Sequence, residues 1–298
     1  MSAPDLDRPV VITCSISGAI ANRDQCPAIP YTPAEYAAEA RRIVDEGGVH
    51  IHIHARRPDG TPSYEVEDFA AIRDAILAEV GRDAIINFST GTIGVPVQKR
   101  IAYLEACRPE VAALNMGSLN YAKYSRSRRD FVFKFVFTNP FEEIIELLEA
   151  MRRLGIKPEH ECFDLGHVGS LEPLVHMGLL DAPLHADFVM GVVGGVPATA
   201  ANLAAMAANM PSSPAGGPQH HWGVIGIGRD QWMLVAAALT QGGSVRVGLE
   251  DNFYLPDGQM ARSNGELIAK ARQMTEDMGR RPATVQEARS LLGIDEQH

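Results

Sequence analysis

The chain has 298 residues, 46% of them hydrophobic and 21% charged, enough for one large domain with a substantial core. A net charge of −10 and the absence of any extended Lys/Arg run argue against a nucleic-acid partner. No stretch of about 18 apolar residues is present, so no membrane partner is expected.

In chain order, residues 1–7 carry no apolar signal core, and strand one is predicted over 10–17. A helix over 32–46 opens on Thr32-Pro33-Ala34-Glu35, a capping box with proline at the first helical position. Further strands fall at 49–55, 84–89, 111–116, 160–165, 187–192, 222–227 and 245–249, with helical patterns between them such as 67–80, 140–154 and 231–241. Eight β/α alternations in a chain of this length predict a (β/α)8 TIM barrel of the α/β class, a single domain over 1–298. The surplus run 131–137 reads as an elaborated loop or short extra strand after strand four. The nearby Arg126, Arg128 and Arg129 read as a solvated loop. The Pro/Ser/Gly-rich piece 211–218 reads as a connector on the face away from the site. Residues 263–298, broken at 279–282, read as a C-terminal helical extension covering the barrel or another subunit. Cys14, Cys26, Cys107 and Cys162 are scattered without a CxxC pair, which predicts a soluble protein of a reducing compartment, the cytoplasm.

Strand two carries the most informative residues. His50, His52 and His54 recur at every second position, so they share one face, while Ile51 and Ile53 fill the other. Barrel active sites lie at the C-terminal strand ends, which selects His52 and His54 and leaves His50 deeper. Strand eight closes on Arg246-Val247-Gly248-Leu249-Glu250-Asp251, with Arg246, Gly248 and Glu250 on one face. Glu250 completes a His2Glu set with one position open, as a catalytic zinc site requires. Asp251 stands at the rim where a base would. Glu161, on strand five, is expected to pair with Arg246 and orient it. Ser89 and Thr92, in the small-residue run ending strand three, offer hydroxyls to a carboxylate or keto oxygen, and Asn115 ends strand four. His176 and His185 read as ordinary loop histidines, and His220 and His221 as lying on the opposite barrel face. Gly226–Arg229 lacks the third glycine of a dinucleotide fingerprint, and at most cradles a phosphate.

Together the segments 52–56, 89–91, 161–167, 226–229 and 245–252 resemble, in the right order, the β-keto acid cleavage enzymes, whose type member acts on 3-keto-5-aminohexanoate. The resemblance implies a zinc-dependent (β/α)8 enzyme, a homotetramer, that reacts a β-keto acid with acetyl-CoA to give acetoacetate and a new acyl-CoA. It implies His52, His54 and Glu250 as zinc ligands and Asp251 as base, supported by Arg246 and Glu161. Ser89, Thr92 and Asn115 would hold the substrate's oxygen atoms.

Two positions depart from the family pattern. In the type member a glutamate meets the substrate's amino group after the Gly-Ala of strand one; here Ile20 follows Gly18-Ala19. An isoleucine cannot balance a buried ammonium, so the expected substrate lacks that amine. Arg57 stands where aspartate is common, either facing solvent or binding a second carboxylate or a CoA phosphate. The competing readings are a metal-dependent hydrolase on the same barrel and a barrel that only sequesters a metal or small acid.

Overall fold

A computed structural model describes residues 5–294. The ends of the expected leading segment and C-terminal extension, residues 1–4 and 295–298, lie outside the described residues. Ten strands form: β1 (Ile12–Ser15), β2 (His50–Ile53), β3 (Ile85–Ser89), β4 (Val111–Asn115), β5 (Leu119–Ser125), β6 (Asp130–Phe137), β7 (Lys157–Cys162), β8 (His185–Met190), β9 (His221–Gly226) and β10 (Ser244–Val247). Eight of them close a parallel barrel in the order β1-β2-β3-β4-β7-β8-β9-β10, with β10 pairing back onto β1. This is the expected (β/α)8 TIM barrel.

Local sequence explains the surrounding helices. The helix Pro33–Asp45 starts where the Thr32 hydroxyl accepts from Glu35 N and Glu35 reaches back to Thr32 N at 2.9 Å. It buries Tyr36, Ala40 and Ile43 against the barrel. Buried Glu39 accepts from Asn264 N at 2.7 Å, and Asn264 Nδ2 donates to Ile16 O at 3.0 Å, tying the last barrel helix to the first.

The structure corrects several element boundaries. Strand five, predicted over 160–165, is β7 at Lys157–Cys162. Leu165 instead opens a short helix capped by Asp164, which accepts from His167 N at 3.1 Å. The run at 131–137 is one strand of an antiparallel ribbon, paired with the unpredicted β5, and Arg126, Arg128 and Arg129 lie exposed at its turn. Residues 263–294 hold two different parts. Asn264–Asp277 packs beside helix Pro33–Asp45, β1 and β10 as the eighth barrel helix. Val285–Leu292 lies under the N-terminal strand ends, where Val285, Ala288 and Leu292 bury against Val11, Val49, Ile85 and Val111. Leu292 is fully buried, so Leu292→Ala is expected to lower unfolding free energy by about 2–5 kcal/mol in a denaturant titration.

Above that apolar plug the barrel interior is polar. Register places Thr13, His50, Asn87, Glu159, His185, Asp187 and Arg246 on one face of their strands, and all are buried. Barrel interiors are ordinarily filled by Val, Ile and Leu. His185 is therefore not a loop residue: it opens β8, with Asp187 Oδ2 at 3.0 Å from its Nε2.

Candidate active site and metal centre

The site forms where the chain leaves β1, β2 and β10. Arg56, just after β2, donates to Gly18 O at 2.8 Å and Ser17 O at 3.1 Å and lies 5.4 Å from the Tyr31 ring centroid. It thereby fixes the loop after β1. That loop touches the turn after β10 through two glycines. A Cβ on Gly18, whose φ is +61°, would lie 2.7 Å from Glu250 Cγ, and a Cβ on Gly248 would lie 2.1 Å from Ser15 O. Backbone meets backbone at the second contact, so Gly248→Ala should cost about 1–3 kcal/mol of stability. A denaturant midpoint equal to the wild type's would contradict this.

These contacts bring the predicted donors together. Nε2 of His54 lies 3.4 Å from Glu250 Oε1, and Nε2 of His52 lies 3.7 Å from Glu250 Oε2. Three donors at about 2.0–2.1 Å from one ion in tetrahedral array are separated by about 3.3 Å. Buried Glu250 Oε2 has no hydrogen-bond partner among the described residues, nor does Nδ1 of His52. The His52 Nδ1 instead faces Glu159 Oε2 at 3.8 Å, where a carboxylate commonly orients a ligating imidazole. Two imidazoles and a carboxylate whose buried Oε2 has no partner among the described residues fit a divalent cation.

Arg246 organises the carboxylates around that set. It donates to Glu161 Oε1 at 2.7 Å, Glu250 Oε1 at 3.1 Å, and both Asp251 oxygens at 3.0 and 3.2 Å. The Ser15 hydroxyl also donates to Asp251 Oδ2. Burial alone would disfavour the guanidinium charge, but the three carboxylates hold it fully charged. Burial pushes Glu161 up to about 7 against the pull of Arg246, and burial also raises Asp251 above the ordinary carboxylate value. Glu250 goes the other way: burial would raise it, but His54, Arg246 and His52 hold its carboxyl below the ordinary range. Two adjacent carboxylates thus differ, one disposed to take a proton and one held ionised.

Other predicted residues are placed unevenly. Asn115 and Glu161 are neighbours across β4 and β7. Ser89 Oγ accepts from Gly91 N at 3.2 Å, and Asn115 Nδ2 lies 2.9 Å from where a Gly91 Cβ would sit. Thr92 Oγ1 is buried without a hydrogen-bond partner among the described residues. Gly226 is accounted for by close packing, since its Cβ would meet Gln231 Cα at 2.4 Å. Gly228 N donates to Asp251 O at 2.8 Å, which braces the turn holding the predicted base. Arg57 lies 3.8 Å from Glu65 and 3.9 Å from Asp68, all partly exposed. Arg57→Ala should leave turnover unchanged; a fall in kcat/KM would give it a ligand instead. Sequence reasoning missed Ser15 and Glu159. The inward parity of Glu159 with Glu161 on one strand was the available signal.

A closed (β/α)8 barrel with a His2Glu donor set and a buried Arg–carboxylate cluster at the C-terminal strand ends defines an enzyme with a candidate divalent-cation site. Residues 9–294 match the beta-keto acid cleavage enzyme family, and the chain belongs to that family. It is 37% identical over 286 residues to the 3-keto-5-aminohexanoate cleavage enzyme of Acetoanaerobium sticklandii, covering 96% of this chain and 98% of that one. It is 34% identical over 304 residues to the 3,5-dioxohexanoate:acetyl-CoA acetone transferase of Paraburkholderia graminis, covering 96% of each. Among solved structures, the binary complex of ObcA with oxaloacetate shares the fold, with a TM-score of 0.74 and 20% identity over 90% of this chain and 68% of that chain.

Proposed function

We propose that the protein catalyses a zinc-dependent reaction of a β-keto acid with acetyl-CoA, giving acetoacetate and a new acyl-CoA. The observation that carries this reading is the placement of Asp251, gripped by Arg246, directly beside the His52/His54/Glu250 donor set. A zinc ion held by those three residues would supply Lewis acidity toward the substrate's keto oxygen.

Asp251 removes a proton from C2 of the β-keto acid. Burial raises its basicity, and Arg246 and Ser15 fix its orientation. The C2 carbanion attacks the acetyl carbonyl of acetyl-CoA and displaces CoA as thiolate. The thiolate then adds to the substrate's original keto carbon, the bond from that carbon to C2 breaks, and C2 recovers its proton from Asp251. Acetoacetate and the new thioester leave. Ser89, Asn115 and Thr92 hold substrate oxygens, and Glu161 positions Arg246.

The substrate class rests on Ile20, which is 56% exposed two residues beyond the Gly18 that abuts Glu250. A neutral or apolar tail would cover this exposed isoleucine, which offers an ammonium no counter-charge. Neutral-tailed β-keto acids should therefore outperform 3-keto-5-aminohexanoate, and Ile20→Glu should narrow or reverse that order. A wild-type preference for the amine would refute it. No helix among the described residues is long and apolar enough to cross a membrane. We place the protein in a reducing compartment, the cytoplasm, where its four free, buried cysteines would stay reduced; the homotetramer is proposed from the family resemblance alone.

Acetyl-labelled acetyl-CoA tests the reaction. Label should enter acetoacetate and be absent from the new thioester. Label released as acetate would favour a hydrolase.

A further inference from the structure

A second group of potential ligands lies deeper in the barrel and takes no part in the proposed reaction. One donor atom from each of His50, Glu159 and His185 lies within 4.8 Å of the others. All three residues are buried, at 0%, 0% and 1% exposure. The outer atoms of this group are already held. Thr13 Oγ1 lies 3.0 Å from His50 Nδ1, Asp187 Oδ2 lies 3.0 Å from His185 Nε2, and Asn87 Nδ2 donates to Glu159 Oε2. The atoms left over are His50 Nε2, His185 Nδ1 and Glu159 Oε1, none with a hydrogen-bond partner among the described residues.

The chemistry of those leftovers is specific. In the tautomer that donates from Nε2 to Asp187, His185 Nδ1 presents a lone pair. In the tautomer that donates from Nδ1 to Thr13 Oγ1, His50 Nε2 presents another. When ionised, Glu159 presents only acceptors, Oε1 among them. Three lone pairs in a space sealed from solvent cannot satisfy one another, and a water molecule brings two protons for three acceptors. Glu159 and Asp187 also form no direct ion pair with an arginine or lysine among the described residues, and Arg246 pairs with Glu161, Glu250 and Asp251. The His50 and His185 ring centroids are 5.7 Å apart, comparable with the 5.2 Å between His52 and His54. Hydroxyl, carboxylate and amide groups anchoring the outer atoms form the second layer that metal ligands usually have.

The geometry points to a second, fully buried divalent-cation site held by His50 Nε2, Glu159 Oε1 and His185 Nδ1, suited to zinc. It neutralises the interior carboxylates and locks Glu159, whose other oxygen faces His52 Nδ1. Because the upper set is partly exposed and the lower one sealed, the two ions should differ in chelator access.

The test is metal content per chain of the zinc-loaded protein, together with anomalous diffraction at the zinc edge. Two zinc ions per chain are expected, with anomalous peaks at both clusters. Brief chelation should remove only the upper ion. His54→Ala should keep one ion that resists brief chelation, and His185→Gln should keep one that does not. One ion per chain, lost in His54→Ala and unaffected by His185→Gln, would overturn the proposal. If His185→Gln does not fold, the wild-type anomalous map decides: no peak between His50 and His185 overturns it. None of these readouts depends on turnover, so they stand apart from the reaction proposed above.

Discussion

Asp251→Asn should lower kcat by about 10²- to 10⁴-fold, the range that loss of a positioned general base commands. Asparagine keeps the shape of the side chain but cannot accept the C2 proton. The surrounding frame survives the change, because Gly228 N still donates to the backbone carbonyl of residue 251 and Arg246 keeps Glu161 and Glu250. Metal content should therefore match the wild type, and KM should move far less than kcat. That separation distinguishes lost chemistry from a collapsed site. A kcat near the wild-type value would place the base elsewhere.

Removing a ligand should have the opposite signature. His54→Ala leaves two of three protein donors at the upper site, and zinc affinity there should fall by more than the about 10–100-fold typical of losing an orienting partner alone. His54 and Glu250 are partly exposed at the barrel mouth, so the fold should persist. Wild-type protein should gain thermal stability with added zinc, by about 2.7 kcal/mol at 100 times Kd. The variant should lose the part of that gain belonging to the upper site, together with its turnover. Unchanged zinc affinity in the variant would remove His54 from the site.

Much of this arrangement was legible because its parts lie within short segments whose geometry is fixed locally. Alternation placed His50 and His52 on one strand face, and the barrel rule chose His52 and His54 over His50. The expected Arg246–Glu161 pair is present at 2.7 Å. The illegible parts depend on partners far apart in the chain. Asn87 meets Glu159 across 72 positions, and neither residue alone signals burial. The strand is predicted to begin at 160 whereas β7 begins at Lys157, so its first inward glutamate, Glu159, falls outside the predicted strand. His185 reads as a loop residue because the strand is predicted to start at 187; β8 begins two residues earlier, and the convergence of β2, β7 and β8 buries the ring. The β5 strand mixes asparagine, lysine and serine with its aromatics, and is recognisable only once β6 pairs with it.

The most direct test of the central claim is acetoacetate formation by zinc-loaded enzyme supplied with acetyl-CoA and β-keto acids bearing cationic, neutral and acidic tails. The predicted result is acetoacetate from a neutral-tailed acid, dependent on both zinc and acetyl-CoA and absent in His52→Ala. Zinc-loaded protein that forms no acetoacetate from any tail class would contradict the account.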